Sequence, residues 1–228
     1  MELAENIYGR ELTAEEIAAG VHRDMVGGLW DEMGRLQLDF LVREGLEPRH
    51  TLLDVGCGCL RAGVQLVRYL EPGHYYGMDV NASLVRAGLE HELPAAGLAG
   101  RVAADHLLVN GAFEGWRFGA VFDYAIAQSV FTHLPLSAVG DALRELGRCI
   151  RPGGRLYATV FEAKGNPVPE SVFHERGGVT SRCDRDPFHF RFRDLAALCA
   201  GLPWNPVHLG GWGHPRDQRM IRFERTRE

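Results

Sequence analysis

Lysine is almost absent from this chain: Lys164 is the only one, and arginine supplies the other basic residues. We attribute this scarcity to the base composition of a bacterial genome and draw no mechanism from it. Acidic residues outnumber basic ones by 30 to 25, which gives a formal net charge of -5. An acidic excess does not provide the broad basic surface that binds a nucleic acid backbone, so we expect no nucleic acid partner.

Long hydrophobic runs and paired cysteines are also missing. No uncharged stretch is long enough to cross a bilayer, and the N-terminus lacks a basic start followed by an apolar run. The five cysteines show no paired C-x-x-C spacing, which excludes a disulfide framework and a zinc ribbon, so we expect reduced thiols and no metal. These absences predict a cytoplasmic protein with no membrane partner, and they leave the oligomeric state open.

Strand-like and helix-like segments alternate from residue 48 onward. The apolar runs are 51–55, 74–78, 106–109, 121–127, 155–161, 206–209 and 219–223, and the helix-compatible segments between them are 60–70, 82–92, 137–149 and 193–200. Strands that alternate with helices form βαβ units with a mainly parallel sheet. The pattern predicts one α/β domain over residues 48–228.

A helical cap of residues 1–47 is predicted to precede this domain. Thr13 and Glu16 have the spacing of a capping box, which starts a helix, and apolar residues recur with a helical period from residue 29 to residue 46. A second irregular segment, about residues 163–191, is rich in proline and glycine. Irregular segments of this length are more often functional than idle, so we expect a lid that contacts substrate, with Phe173, Phe188 and Phe190 as packing surfaces.

A glycine-containing loop follows the first predicted strand. Gly56 and Gly58 allow a tight turn and a close approach to a ligand, but the third glycine position of a dinucleotide fingerprint is Arg61. A pyrophosphate is therefore disfavoured. Asp79 ends the second predicted strand, 21 residues after Gly58, where a carboxylate can accept hydrogen bonds from both ribose hydroxyls. The combination predicts a ribonucleoside ligand without a phosphate chain.

Four motifs together resemble the class I S-adenosylmethionine-dependent methyltransferases: residues 53–58, Asp79, residues 122–131 and residues 151–156. The resemblance spans roughly residues 50 to 225. It implies a Rossmann-like, seven-stranded, mostly parallel sheet with helices on both faces and an antiparallel last hairpin. It also implies that S-adenosylmethionine is the cofactor.

The resemblance assigns cofactor roles to the residues of the first two strands and their loops. Gly56, Cys57 and Gly58 would lie under the methionine and ribose parts of the cofactor, and Asp79 would bind the ribose hydroxyls. Asp54 would help to hold the loop or meet the cofactor amino group. Cys57 is expected to pack rather than react, since no base adjoins it.

Further cofactor contacts are expected after the third and fourth strands. In this family an acidic or amide residue after the third strand meets the adenine. Either Asp105 or Asn110 can be that residue, and we prefer Asn110, with Phe113 nearby, because residues 106–109 make the better strand. Gln128, just after the fourth strand, should face the methyl donor. Arg61 can reach the cofactor carboxylate or face solvent.

Methyl transfer from a sulfonium needs alignment of the reactants and, at most, a base that removes the acceptor proton. His133 follows the fourth strand and His214 lies in a glycine-rich turn between the last two strands, so both are candidate bases; each also has a purely structural interpretation. We expect transfer to an oxygen, or less readily a nitrogen, of a small organic acceptor. A protein or RNA methyltransferase, a nicotinamide oxidoreductase and a noncatalytic nucleoside-binding protein remain as alternatives.

Overall fold

The structure, a computed structural model, describes residues 9–226, which divide into two compact units between Gly111 and Ala112. Ten strands are assigned: β1 (Leu52–Val55), β2 (Tyr75–Asp79), β3 (Leu107–Val109), β4 (Phe122–Ala127), β5 (Ile150–Glu162), β6 (Ser171–His174), β7 (Val179–Arg182), β8 (His189–Phe190), β9 (Trp204–Gly211) and β10 (Arg219–Arg225). The α-helices are α1 (Ala14–Ala18), α2 (Val21–Met25), α3 (Trp30–Arg43), α4 (Gly63–Tyr69), α5 (Ala82–Ala87), α6 (Leu93–Ala95), α7 (Leu136–Leu146) and α8 (Phe192–Leu198).

The first unit contains a parallel sheet in the order β3-β2-β1. All four residues of β1 are buried, because a parallel strand is covered on both faces and its sequence reads as a continuous apolar run. Gly77 of β2 is necessary at its position, since a Cβ there would lie 3.0 Å from the Cys57 sulfur. The sheet therefore brings the ends of β1 and β2 against the glycine loop.

The N-terminal helices of this unit pack on α5. Leu12 and Ile17 join Cys59, Leu84 and Ala87 in one buried cluster. The capping box expected at Thr13 is confirmed, with both of its hydrogen bonds present. The domain boundary expected at residue 47 stays a prediction, and residues 1–8 of the expected cap lie outside the described residues.

Residues 82–92 differ from the single helix that the sequence predicts. Helix α5 ends at Ala87, and one π-helical turn, residues 88–92, follows it before α6. The backbone of this turn packs tightly, since a Cβ on Gly88 would lie 2.5 Å from Leu60 Cγ. A π turn inserts an extra residue into a helix and is frequent at functional sites.

The second unit contains the order β4-β5-β10-β9, in which β4 and β5 are parallel and β10 is antiparallel to both of its neighbours. The Rossmann-like α/β class and the antiparallel hairpin at the C-terminal end are therefore confirmed. Strand β5 begins five residues before the run predicted at 155–161. The added residues include Gly154, where the backbone is crowded: a Cβ there would lie 2.7 Å from Ile150 Cγ2 and 3.0 Å from the Asp123 carbonyl oxygen of β4.

The segment 163–191 contains three short strands that the sequence analysis does not predict. Strands β6 and β7 form an antiparallel hairpin that turns at Gly177 and Gly178, and β8 pairs in parallel with the end of β5. The prolines and glycines of this segment obscure the alternation on which strand prediction depends. Within residues 9–226, no helix is both long and apolar enough to cross a membrane.

Candidate active site

The glycine loop of the first unit turns its amide groups toward the end of β2. The N–H groups of Gly56 and Cys57 both donate to the Met78 carbonyl oxygen, at 2.7 and 3.0 Å. The Gly58 N–H donates to Asp79 Oδ2 at 2.8 Å. A phosphate cradle needs successive loop amides that point at the anion. These three amides are occupied by the protein, so the loop suits a nucleoside ligand and disfavours a pyrophosphate.

Asp79 is positioned by two backbone amides, one for each carboxylate oxygen. Oδ2 accepts from Gly58, and Oδ1 accepts from the Asn81 N–H at 2.9 Å. Burial raises the pKa of Asp79, against the opposing effect of these hydrogen bonds. A carboxylate at the end of β2 can also accept hydrogen bonds from a ligand through its remaining oxygen lone pairs. The binding of ribose hydroxyls by Asp79 stays a prediction.

Asp54 lies in β1 with its carboxylate buried. The Tyr75 hydroxyl donates to Asp54 Oδ2 at 2.8 Å. Burial raises the pKa of Asp54 to about 7, and the nearby Asp79 acts in the same direction. A cationic group brought to this carboxylate would stabilise its ionised form, which fits the amino group of the expected cofactor.

Cys57 is buried in the loop, and this burial raises the pKa of its thiol well above the ordinary value. The negative charges of Asp79 and Asp54 raise the pKa further. A thiol that resists ionisation is a poor nucleophile. Its packing against Gly77 agrees with the structural role expected from the sequence.

Arg61 contacts the N-terminal segment of the same unit. Its Nη1 donates to the carbonyl oxygens of Val26 and Gly28, both at 2.8 Å. Val26 also covers the loop, because a Cβ on Gly58 would lie 2.7 Å from Val26 Cγ1. Sequence reasoning does not anticipate these contacts. The role of Arg61 at the cofactor carboxylate stays a prediction.

The bounds of β3 decide whether Asp105 or Asn110 is the residue that follows the third strand. Strand β3 ends at Val109, so Asn110 follows it, and the Asn110 N–H donates to the Asp79 carbonyl oxygen at 2.8 Å. Asp105 lies in the 3₁₀ turn that precedes the strand and is exposed. Asn110 is therefore the residue that directly follows β3, and its contact with the adenine stays a prediction. Phe113 lies in the loop after β3, half-buried and with a φ of +60°.

A buried polar network lies at the carboxyl end of β4 in the second unit. Gln128 directly follows the strand, and one of its terminal carboxamide atoms lies 2.7 Å from Ser129 Oγ and 3.1 Å from His214 Nε2. Gln218 Nε2 donates to Ser129 Oγ at 2.7 Å, and Thr159 Oγ1 donates to Gln218 Oε1 at 2.6 Å. The network joins the loops after β4 and before β10.

Hydrogen-bond balance defines the state of His214. Its Nδ1 accepts from the Arg216 backbone N–H at 3.1 Å, so the ring is neutral and carries its proton on Nε2. Because Nε2 then donates, we assign the carboxamide oxygen of Gln128, rather than its nitrogen, to the position that faces His214 and Ser129. With this assignment the NH₂ group of Gln128 is the end of the side chain directed away from both residues.

His133 forms a different kind of contact, with a carboxylate. It lies in the 3₁₀ turn after β4, and its Nδ1 is 2.6 Å from Asp186 Oδ1 in the segment 163–191. The Phe188 N–H donates to the Thr132 carbonyl oxygen at 2.7 Å, which joins the same two segments again. A neutral ring that donates from Nδ1 to a carboxylate has its lone pair on Nε2.

A cavity of about 240 Å³ lies between the segments that His133 and Asp186 connect. Five apolar residues contribute to its wall, together with a thiol, a histidine and two carboxylates. The lining residues are Pro135, Leu136, Val168, Cys183, Asp184, Phe188, His189, Phe190 and Asp194. Phe188 and Phe190 are two of the three aromatic residues expected to pack in this segment, whereas the third, Phe173, is 63% exposed and does not line the cavity. The volume lies just below the range of about 300 to 1,000 Å³ typical of small-molecule pockets.

Comparison with known proteins gives the family. A family model described as a methyltransferase domain matches residues 53–156, a range that begins in β1 and ends in β5. This chain carries a methyltransferase domain. The match and the Rossmann-like fold together confirm the expected class I methyltransferase.

Solved structures of methyltransferases are similar to this one over most of the chain. Magnesium protoporphyrin IX methyltransferase from Synechocystis PCC 6803, with bound S-adenosylmethionine, shares 14% identity with a TM-score of 0.59, over 97% of this chain and 88% of its own. An S-adenosylmethionine-dependent methyltransferase from Clostridium acetobutylicum ATCC 824 shares 8% identity with a TM-score of 0.65, over 94% and 100%. An O-methyltransferase family protein from Burkholderia thailandensis shares 14% identity with a TM-score of 0.60, over 99% and 66%. At these identities the likeness shows the fold.

Four polar residues that contact the predicted site residues or their neighbours were not identified from the sequence. Ser129, Thr159 and Gln218 surround Gln128, and Asp186 contacts His133. One signal is present in the sequence: Gln128 and Ser129 are adjacent polar residues directly after a buried strand. Thr159, Gln218 and Asp186 have no local signal, because their partners lie at least 30 residues away.

Proposed function

We propose that this methyltransferase acts on an oxygen atom of a small organic acceptor and that His133 is the base. The observation that carries the proposal is the 2.6 Å contact between His133 Nδ1 and Asp186 Oδ1. A carboxylate that accepts from Nδ1 orients the imidazole and stabilises the imidazolium that forms when Nε2 takes a proton. A hydroxyl acceptor needs this proton removal, whereas a neutral amine can attack before it loses a proton.

His214 is less suited to the same task. Its Nε2 already carries a proton and donates to Gln128, and its Nδ1 accepts from a backbone amide. We therefore assign His214 to the orientation of Gln128, whose NH₂ group can then donate to the acceptor. In this proposal His133 is the base, as expected from the sequence, and His214 orients Gln128 instead of acting as a base.

The first unit supplies the groups that suit the cofactor. Its inward-turned loop amides, the carboxylate of Asp79 at the end of β2 and the buried carboxylate of Asp54 fit a nucleoside that also carries a cationic amino group. When bound, S-adenosylmethionine supplies a methyl group on a positively charged sulfur, which is a leaving group that needs no proton. The protein therefore has to orient the acceptor, remove its proton and exclude water.

The cavity beside Phe188 and Phe190 supports a small acceptor rather than a macromolecule. Its mainly apolar wall is formed by the segment after β4 and by residues 168–194. His133 and Asp186 belong to these same two segments. A flat or basic surface would be expected instead for a protein or RNA acceptor.

The test begins with calorimetric titration of S-adenosylmethionine, S-adenosylhomocysteine and NAD in parallel. Binding of the first two without NAD is expected. Methyl transfer from labelled cofactor is then screened against phenols, carboxylic acids and amines. His133→Gln should lower kcat by roughly 10²- to 10⁴-fold with little change in cofactor affinity.

The matched control is His208→Gln. His208 also pairs with a carboxylate, Glu162, at 3.0 Å, but it lies in β9, away from the segment after β4. This variant should keep its activity. Transfer only to amines, or equal activity of the two variants, would refute the assignment of His133 as the base for an oxygen acceptor.

A further inference from the structure

Glu92 is a buried carboxylate that has no place in the site described so far. It lies at the end of the π turn, and its side chain is only 5% exposed. One oxygen lies 2.6 Å from His22 Nε2 and accepts from Arg23 Nε at 2.7 Å, while the other accepts from Arg23 Nη2 at 2.6 Å. Although burial raises it, the bonds from Arg23 and His22 lower the pKa of Glu92 below its ordinary value.

Its two partners belong to a short segment, residues 21–29, that we name the strap. The strap contacts residues 56–61, the glycine loop and the residues that follow it, which we name the cofactor loop, at three points. Val26 lies over Gly58, the Arg61 guanidinium binds two strap carbonyl oxygens, and Cys59 Sγ lies 3.4 Å from the His22 carbonyl oxygen. The loop that carries the ribose-binding geometry is therefore covered by the segment that Glu92 binds.

The ends of the strap favour movement. Gly20 and Gly28 have φ values of +85° and +62°, a region that glycine enters without steric cost. Leu29 has a φ of +49°, which is strained for a residue with a side chain. Residues 21–25 of the strap form α2, and Val21, Met25 and Val26 pack against the buried cluster, so the position of the strap depends on this packing together with side-chain contacts such as those of Glu92.

The turn that carries Glu92 also touches the loop directly. A Cβ on Gly88 would lie 2.5 Å from Leu60 Cγ and 3.0 Å from the Cys59 carbonyl carbon. The π turn thus packs against the loop at one end and binds the strap at the other. Strap, π turn and loop form one connected arrangement within the first unit.

We propose that Glu92 is a positioning residue for S-adenosylmethionine: by binding His22 and Arg23 it holds the strap against the cofactor loop and so strengthens cofactor binding and slows its release. The proposal rests on the assignment of S-adenosylmethionine to this loop. A loop that is already ordered loses less entropy when it binds a ligand, whereas release of the strap adds loop conformations that bind weakly.

The test is Glu92→Gln, which keeps the shape of the side chain and removes its charge. If the strap-closed state falls to between 1 and 10% of the population, the Kd for S-adenosylhomocysteine should rise about 10- to 100-fold. Stopped-flow displacement should show faster release, and hydrogen exchange of residues 21–29 should increase. Glu92→Asp, which keeps the charge on a shorter side chain, should give intermediate values.

The control is Glu16→Gln in the same N-terminal region. Glu16 pairs with Arg10 and caps α1 without contacting the strap, so this variant should bind S-adenosylhomocysteine as the wild type does. Arg23→Gln provides a milder variant if Glu92→Gln does not fold, because it leaves the contact between His22 and Glu92. The double variant, with Arg23→Gln and Glu92→Gln, should bind S-adenosylhomocysteine as tightly as Glu92→Gln alone, since both changes remove the same ion pair.

Faster exchange of the strap with an unchanged Kd and release rate would overturn the proposal, because the strap would then be irrelevant to the cofactor. The proposal would also be overturned if the ligand-free variant has a lower melting temperature and its unfolded fraction at the assay temperature explains the whole change in Kd. Absence of binding to the wild-type protein would instead refute the cofactor assignment itself.

Discussion

Replacement of Asp79 by asparagine tests the ribose assignment with the smallest change of shape. The two carboxylate oxygens accept separate backbone bonds, from Gly58 and from Asn81. An amide has one oxygen and one NH₂ group, so in Asp79→Asn one of these backbone amides faces another donor. The variant also loses the negative charge and at least one of the acceptor positions that remain for the ribose hydroxyls.

The magnitude follows from these losses. A hydrogen bond to a charged group contributes roughly 1.5 to 3 kcal/mol, so a weakened and a lost ribose bond together cost about 3 kcal/mol, or roughly 100-fold in Kd. The unpaired backbone amide costs a further ~1 to 2 kcal/mol of unfolding free energy, which leaves the protein folded. Affinity should therefore fall by more than stability.

The assay is calorimetric titration with S-adenosylhomocysteine, together with denaturant unfolding of the ligand-free protein. Asp105→Asn is the control, because it removes an exposed carboxylate from the same unit and should leave Kd within about twofold. A Kd of Asp79→Asn within about threefold of the wild type would refute the ribose assignment, as two hydrogen bonds cannot be altered at so small a cost.

Two further predictions concern buried polar groups. The pKa of Asp54 is raised to about 7, so between about pH 4 and pH 7 the folded protein binds more protons than the unfolded chain, and stability falls as the pH rises through this window. Asp54→Asn should gain roughly 2 to 3 kcal/mol relative to the wild type between pH 5 and pH 8 in denaturant unfolding, and a pH-independent difference would contradict the burial of an ionised Asp54. Ser181 lies between two buried rings, 2.8 Å from His174 Nε2 and 3.0 Å from His189 Nδ1. Ser181→Ala should destabilise this segment by about 1 to 3 kcal/mol, and unchanged hydrogen exchange of residues 163–191 would show that the hydroxyl is dispensable.

Local sequence signals predicted β1, β2 and the loop between them for a physical reason. A buried parallel strand is mainly apolar, and glycine enters a positive φ in the turn after it without steric cost. β1, the loop at Gly56 and Gly58, and Asp79 at the end of β2 follow directly from these requirements. The capping box at Thr13 is equally local, because its two partners are three residues apart.

Short elements and glycine-dependent contacts were harder to predict. Strands β6 to β8 have two to four residues each, too few to show an alternation. The early part of β5 includes Gly154, where a Cβ would lie 2.7 Å from Ile150 Cγ2 and 3.0 Å from the Asp123 carbonyl oxygen of β4. Such contacts belong to the folded chain and leave no pattern in the residues near them.

The roles of the two candidate histidines show where sequence reasoning ends. The sequence identifies His133 and His214 by type and by position after strands, but the role of an imidazole depends on which nitrogen carries the proton. His133 contacts Asp186, 53 residues away, and His214 contacts Gln128, 86 residues away. A carboxylate at Nδ1 favours a basic Nε2, whereas a backbone N–H at Nδ1 makes Nε2 a donor. In the proposed function the same residue type therefore serves as a base in one case and as a support for an amide in the other, and only the distant partner distinguishes them.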